Sequence, residues 1–369
     1  MYQSTIRSAV TTHRESFNRI RALDGLRGYA ALCVAVMHYQ VLFSSTRFFD
    51  FAYVAVDLFF VLSGIVISMN YGERISQGIS LAAFVCNRLA RLYPLYLLTS
   101  AVGFIHAYAL YAAGKYDPNT WKAVGDIPSM LANLAMLPNV RIGGSASQVL
   151  FPFNGPAWSV FAEIWVNILF FVWARAGGRH LAFIVLLAAA ALIVAAGDHG
   201  NVDGGWGSVH MAIGLLRAIF GFFIGVAIWK HRSRFARVFG AVPVEVYAVL
   251  ILVHPLFSST QIVRELVVVL VLVPGCVASA LVNRSMLLEN PVARWLGVIS
   301  YGVYLWQIPF GAWLGSAARQ GLGIDLAYKQ PWGGLAWLIG LLVLASLSYY
   351  FIEAPTRRFL RRLTDKLVR

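Results

Sequence analysis

Ten runs of apolar residues, each close to the length of a membrane span, follow one another along this chain with only short connections between most of them. A bilayer core about 30 Å thick takes roughly 20 residues of helix to cross. Lipid offers no partner for backbone N–H and C=O groups, so such runs can only be helices or a closed barrel, and runs of this length are helical. They lie at about 28–45, 53–71, 93–113, 157–174, 181–197, 209–229, 243–260, 266–283, 295–315 and 333–352. The seventh and eighth are the hardest to separate, because the short HPLFSSTQIVRE stretch must make the turn. The chain is 59% hydrophobic and 12% charged, against about 25% charged for a soluble domain. The expectation is an all-α polytopic membrane protein of about ten transmembrane helices. It would form a single transmembrane domain over residues 1–369, with a polar cytoplasmic segment at 1–26 and a basic cytoplasmic tail at 353–369.

Charge distribution orients the bundle. With ten spans both termini share a side. That side collects 22 Lys and Arg residues, among them Arg7, Arg14, Arg19, Arg21 and Arg27 before the first span and Arg357, Arg358, Arg361 and Arg362 after the last. The opposite side holds 7: Arg47, Lys115, Lys122, Arg141, Arg264, Arg319 and Lys329. Positive loops face the cytoplasm, so both termini are expected there. The net charge of +14 then reads as topology plus attraction to anionic lipid, and a nucleic-acid partner is not expected. No cleavable signal peptide is expected, since the apolar run after residue 26 is too long for one.

Cys33, Cys86 and Cys276 lie in or beside apolar runs without metal-type spacing. They read as small buried hydrophobes rather than a disulfide framework. The longest non-cytoplasmic segment, about 114–156, carries PNTW, GDIPSM, RIGGSASQ and PFNGP. Such a segment lids or lines a site, or else is a packed connector. No internal repeat is evident, which weighs against a secondary transporter.

Ionisable groups inside spans are costly and by default functional. The informative ones are His38, Asp57, Glu163 and Arg217. His38 stands in RGYAALCVAVMHY, about 15 Å along the helix from Arg27 and near mid-membrane. Asp57 and Glu163 lie at similar depths, about 8 Å from the non-cytoplasmic face. If their helices pack together, a carboxylate would orient His38 as a general base, with Glu163 the first choice and Asp57 the second. The plainer readings are a His bonded to a neighbouring carbonyl, an Asp57 that packs helices, and an Arg217 that is a structural ion-pair partner beside a close-packing GFFIG stretch.

FVCNRLARLYPLY places Arg88 and Arg91 three apart on one helical face, with Pro94 at the start of the next span. With Arg27 they make a phosphate clamp at the cytoplasmic mouth, or simply positive-inside anchoring.

These stretches together resemble acyltransferase family 3, the integral-membrane family of bacterial polysaccharide O-acetyltransferases and Nod-factor acyltransferases. RALDGLRGYAALCVAVMHY resembles its opening Arg-x10-His signature, VAVDLFFVLSGIVIS its second span and NRLARLYPLY its Arg-x-x-Arg segment. GPAWSVFAEIWVN resembles its Trp-Ser…Glu motif, and ISYGVYLWQIPF and YYFIEAPTRRF its last two spans. One departure is Gln307 in YLWQIP, where many relatives have His; Gln hydrogen-bonds but shuttles no proton. No extracytoplasmic catalytic domain follows the tenth span, so the protein is expected to act alone or to pass its product on.

The resemblance implies transfer of an acyl group, usually acetyl, from cytoplasmic acyl-CoA (acetyl-CoA) to a carbohydrate hydroxyl, with no metal, in a bacterial inner membrane. The acceptor would be a polysaccharide, a lipid-linked oligosaccharide or a glycolipid. Arg27, Arg88 and Arg91 would meet the donor phosphates. His38 would take the acceptor proton, or form an acyl-His intermediate. Ser159, Trp158 or Tyr301 could contact the developing oxyanion or the acceptor. A permease for a polar or anionic small molecule, and a scaffold in which His38 is dispensable, are the alternatives from other classes.

Overall fold

A computed structural model describes residues 2–43, 49–139, 149–326 and 330–367. The helices are α1 (Tyr2–Phe43), α2 (Ala55–Ser76), α3 (Leu81–Ala112), α4 (Pro118–Val124), α5 (Ile127–Leu134), α6 (Ala157–Arg175), α7 (Leu181–His199) and α8 (Met211–Lys230). They continue as α9 (Arg232–Phe239), α10 (Val244–Val253), α11 (Gln261–Val267), α12 (Val273–Ala280), α13 (Met286–Glu289), α14 (Pro291–Gly321), α15 (Trp332–Ser348) and α16 (Ala354–Leu367). Among the described residues no strand forms; a single antiparallel bridge joins Val149 to Gly207.

Each of the ten apolar runs has most of its described residues on helix. Among the described residues seven helical segments are long and apolar enough to cross a bilayer, or eight if the bent pair Arg232–Phe239 and Val244–Leu256 is one span. The helices carrying the first and ninth runs, α1 and α14, are 42 and 31 residues long, with Arg27, His38, Ser300 and Gln307 set among their apolar residues.

The structure departs from the sequence reading at several helix ends. Segment 1–26 is no separate tail: α1 runs unbroken from Tyr2 through the first span. Pro94 lies inside α3 rather than opening a span, so the Arg88 face and the third span are one helix. The missing Pro N–H loses one bond, but 32 residues of continuous helix absorb it. The seventh run gives only the ten residues of α10, about 15 Å of helix, because His254–Leu256 tightens into a 3-10 turn at Pro255. The basic tail folds as α16 and packs against α3. Cys276 is buried and Cys33 half-buried, but Cys86 is exposed, so the small-hydrophobe reading fails there; all three are free thiols. Arg47, Arg141, Lys329, Arg369 and the RIGGSASQ stretch lie outside the described residues.

The bundle is organised by two close pairings, α1 on α14 and α2 on α8. Glycine makes the second possible. A methyl group on Gly64 of α2 would strike the Phe222 carbonyl, and one on Gly225 of α8 would strike the Val61 carbonyl. The GFFIG stretch is thus a close-packing face, as its spacing suggests. Gly28 of α1 and Gly297 of α14 play the same part in the other pair.

Candidate active site

Two cavities lie between α1, α2, α6 and α14. The inner one, about 80 Å³, is lined by Arg27, Arg88, Arg91, Glu163, Ser63, Ser300 and Tyr301, among others. Its lining carries three guanidiniums and one carboxylate. The outer one, about 300 Å³, is lined by His38, Met37, Trp158, Asp203, Trp206 and Arg217, among others. The helical repeat explains how α1 serves both. His38 lies eleven positions after Arg27, with ten residues between them, which is about three full turns and 16 Å of rise, so the two side chains share one face at different heights.

Arg88 is buried, and its terminal nitrogen donates to Glu163 Oε1 at 2.8 Å. The Ser63 hydroxyl donates to the same oxygen at 2.9 Å. The Arg88 Nε is buried and lacks a hydrogen-bond partner among the described residues. Arg27 is tethered to α14 by hydrogen bonds to Ser300 Oγ at 3.3 Å and the Gly297 carbonyl at 3.1 Å. It also pairs with Asp24 at 3.3 Å. Arg91 lines the same cavity. The structure therefore brings together the three arginines that the sequence singles out.

It does not bring Glu163 to His38. Glu163 faces the inner cavity and is occupied by Arg88 and Ser63; His38 faces the outer one. Asp57, the second choice, is occupied as well. It is fully buried and takes a two-pronged contact from Arg217, whose Nη2 and Nε lie 2.6 and 3.1 Å from the carboxylate. Arg217 further donates to the carbonyls of Val202 at 3.1 Å and Tyr53 at 2.9 Å. Arg217 is thus a structural ion-pair partner, and Asp57 does not orient the imidazole. The orienting group is closer to hand: His38 Nδ1 lies 3.0 Å from the Val34 carbonyl one turn back. A carbonyl only accepts, so Nδ1 carries a proton, and in the neutral ring the lone pair lies on Nε2. The Gln307 side chain sits beside the ring; its amide donates to the Tyr304 carbonyl at 2.9 Å.

The oxyanion candidates fare differently. The Tyr301 hydroxyl donates to the Leu92 carbonyl at 2.6 Å, so its one proton is spent. Ser159 Oγ lies 2.7 Å from the Tyr304 hydroxyl, and both oxygens lie near the Pro156 carbonyl, at 3.1 and 3.2 Å. Trp158 walls the outer cavity, with the Arg217 guanidinium 5.9 Å from its ring centre.

Ser63, Ser300 and Tyr304 lie within the quoted stretches VAVDLFFVLSGIVIS and ISYGVYLWQIPF without being singled out there, and Asp203 lies outside every quoted motif. Asp203 belongs to a loop between α7 and α8. Burial raises its carboxyl above the ordinary carboxylate range, against the lowering pull of Arg217. Its loop is pinned by the Val202 N–H, which donates to Glu265 Oε2 at 2.9 Å, and Glu265 is also bonded by Tyr53 and Gln261. Of the 114–156 segment, Val149, Phe151, Pro152, Gly155 and Pro156 form one side of the outer cavity, and among the described residues none of α4 or α5 lines it. Asn154 locks that stretch by donating to Thr99 Oγ1 at 2.8 Å and the Leu305 carbonyl at 3.2 Å.

A helical membrane bundle with an arginine-lined cavity on one side and a histidine-walled cavity on the other has the parts of a membrane-embedded group-transfer enzyme. The acyltransferase domain family matches residues 20–354, and the chain belongs to that family. It is a multi-pass membrane acyltransferase, and the permease and scaffold alternatives fall away. The chain is 34% identical over 190 residues to "Protein 2 in picA locus" of Rhizobium radiobacter, covering 49% of this chain and 96% of that one. It is 28% identical over 166 residues to the acyltransferase MdmB of Streptomyces mycarofaciens, covering 42% of this chain and 40% of that one. It is 25% identical over 389 residues to the peptidoglycan O-acetyltransferase OatA of Listeria monocytogenes. That match covers 94% of this chain but 57% of OatA, so the chain spans little more than half of that relative's length. No solved structure matches the chain.

Proposed function

We propose that this acyltransferase moves an acyl group, acetyl first among them, from cytoplasmic acyl-CoA to a hydroxyl of an extracytoplasmic or lipid-linked carbohydrate. The observation that carries the reading is the division of labour between the cavities. The phosphates of an acyl-CoA need fixed positive charge, and the inner cavity supplies Arg27, Arg88 and Arg91. A hydroxyl nucleophile needs a base, and the outer cavity supplies the Nε2 lone pair of His38. The carbohydrate acceptor is suggested by the activity that OatA's name states.

In this mechanism Glu163 and Ser63 hold Arg88 at the donor's phosphates. The acceptor enters past Val149–Pro156 and is held by Trp158, Asp203 and Trp206. His38 takes the hydroxyl proton as the sugar oxygen attacks the thioester carbonyl; the carbon–sulfur bond breaks and CoA leaves as the thiol after taking up a proton. Gln307 accepts from the imidazolium formed. Ten spans with both termini cytoplasmic, in a bacterial inner membrane, would put the arginines on the CoA side.

The deciding experiment uses purified, detergent-solubilised protein, radiolabelled acetyl-CoA and a membrane carbohydrate extract, with wild type beside His38→Ala. Transfer by wild type alone supports the reading. Equal transfer by both removes His38 from the chemistry. No transfer and no CoA release from a panel of acyl donors removes acyl-CoA as the donor.

A further inference from the structure

Of all the residues lining the two cavities, one is common to both: Tyr304. The lining changes over at its level on each neighbouring helix. On α2 it passes from Val56 to Phe59, on α6 from Trp158 to Ser159. Tyr304 is buried, its ring edge-on to Phe59 with centroids 5.5 Å apart. Its hydroxyl reaches across from α14 to α6, to Ser159 Oγ at 2.7 Å and the Pro156 carbonyl at 3.2 Å.

We propose that Tyr304, latched by Ser159, is the gate between the donor and acceptor cavities. The inference rests on the donor and acceptor assignment above and adds a device to it. While shut, the phenol keeps the thioester away from water standing in the outer cavity; when it swings, the acyl group meets the acceptor. Two properties suit it to this. Its latch consists of neutral hydrogen bonds, the weaker kind, so it opens without breaking an ion pair. The two hydroxyls have two protons between them, and one bonds the other while the second goes to Pro156. Opening therefore frees a hydroxyl donor where the thioester carbonyl passes. Tyr304 acts here as a positioning residue.

Two measurements test it. The first is the ratio of CoA thiol released to acyl group transferred. Water attacking the thioester gives free acid and CoA thiol without product, so a gate that cannot shut raises the ratio. Tyr304→Ala should raise it at least tenfold. Tyr304→Phe, which keeps the ring but loses the latch, should raise it less. Phe222→Ala, a truncation in the α2–α8 core outside both cavities, should leave it unchanged and shows what mere loosening does. A ratio in Tyr304→Ala equal to that of Phe222→Ala overturns the gate. The second measurement does not depend on the donor. Proteoliposomes loaded with a pH-sensitive dye should leak protons at least tenfold faster with Tyr304→Ala than with wild type or Phe222→Ala. Equal leak overturns the gate, whatever the donor is. Absence of acyl transfer from acetyl-CoA by wild type, with the leak present, overturns the donor assignment and leaves the septum standing.

Discussion

Arg88 of α3 and Glu163 of α6 meet at 2.8 Å across the inner cavity, and Ser63 of α2 completes the cluster. The carboxylate thus belongs to the arginine-lined cavity, the donor side of the proposed mechanism. Glu163→Gln should weaken the hold on Arg88 and raise KM for acyl-CoA about tenfold, the equivalent of a charge-assisted hydrogen bond of about 1.5–3 kcal/mol partly lost. Turnover at saturating donor should change little, and the pH profile of kcat should not move. A carboxylate that oriented His38 would instead shift that profile. Initial rates across donor concentration and pH decide between the two.

His38 should behave oppositely. His38→Ala should lower kcat by about 10²–10⁴-fold, the range for a positioned proton-transfer group, with donor KM nearly unchanged. Gln307→Leu removes the amide beside the ring and should cost less, about tenfold. Rates at saturating acyl-CoA, with thermal unfolding as the folding control, test both.

The Asp57–Arg217 pair is fully buried, each side chain 1% exposed. Removing one partner strands the other charge, at a cost of about 3–5 kcal/mol. Asp57→Ala or Arg217→Met alone should lower Tm sharply in detergent; the double variant should recover much of the loss. If the double variant is as unstable as the sum of the singles, the pair is not coupled.

Asp203 gives a pH signature. Its folded carboxyl holds a proton to higher pH than the unfolded value of 3.8. Over that window the native chain binds more protons than the unfolded one, so this group's stabilisation is present at low pH and lost as pH rises through the raised value. Relative to wild type, Asp203→Asn should gain stability from acid to neutral pH. Parallel Tm measurements at the two ends check the sign.

Which of these relationships were legible in the sequence follows from what hydropathy measures. It reports depth along the membrane normal, and the ten runs, the GFFIG packing face and the trio of arginines are all matters of depth or spacing. It does not report azimuth. Asp57 and Glu163 lie at comparable depth by counting residues, yet one turns to Arg217 on α8 and the other to Arg88 on α3. Glu163 and Ser63 are 100 positions apart, and nothing local signals that their helices touch. Tyr304 was hidden for a related reason: a tyrosine in an apolar run reads as packing until its hydroxyl is seen to span two helices. The orienter of His38 was missed because it is a backbone carbonyl, which every residue has.

A single rod, α1, carries both Arg27 and His38, the donor arginine and the base of the proposed mechanism. No loop intervenes between Arg27 and His38, so their spacing cannot breathe with ligand binding; it is a ruler cut into the primary structure. Deleting one residue between them would shorten it by about 1.5 Å, which a flexible acyl arm could absorb, but would also rotate one end by about 100°. One of the two groups would then point into the packed seam with α14 or out to lipid. The interval therefore tolerates changes in what its residues are far better than changes in how many there are.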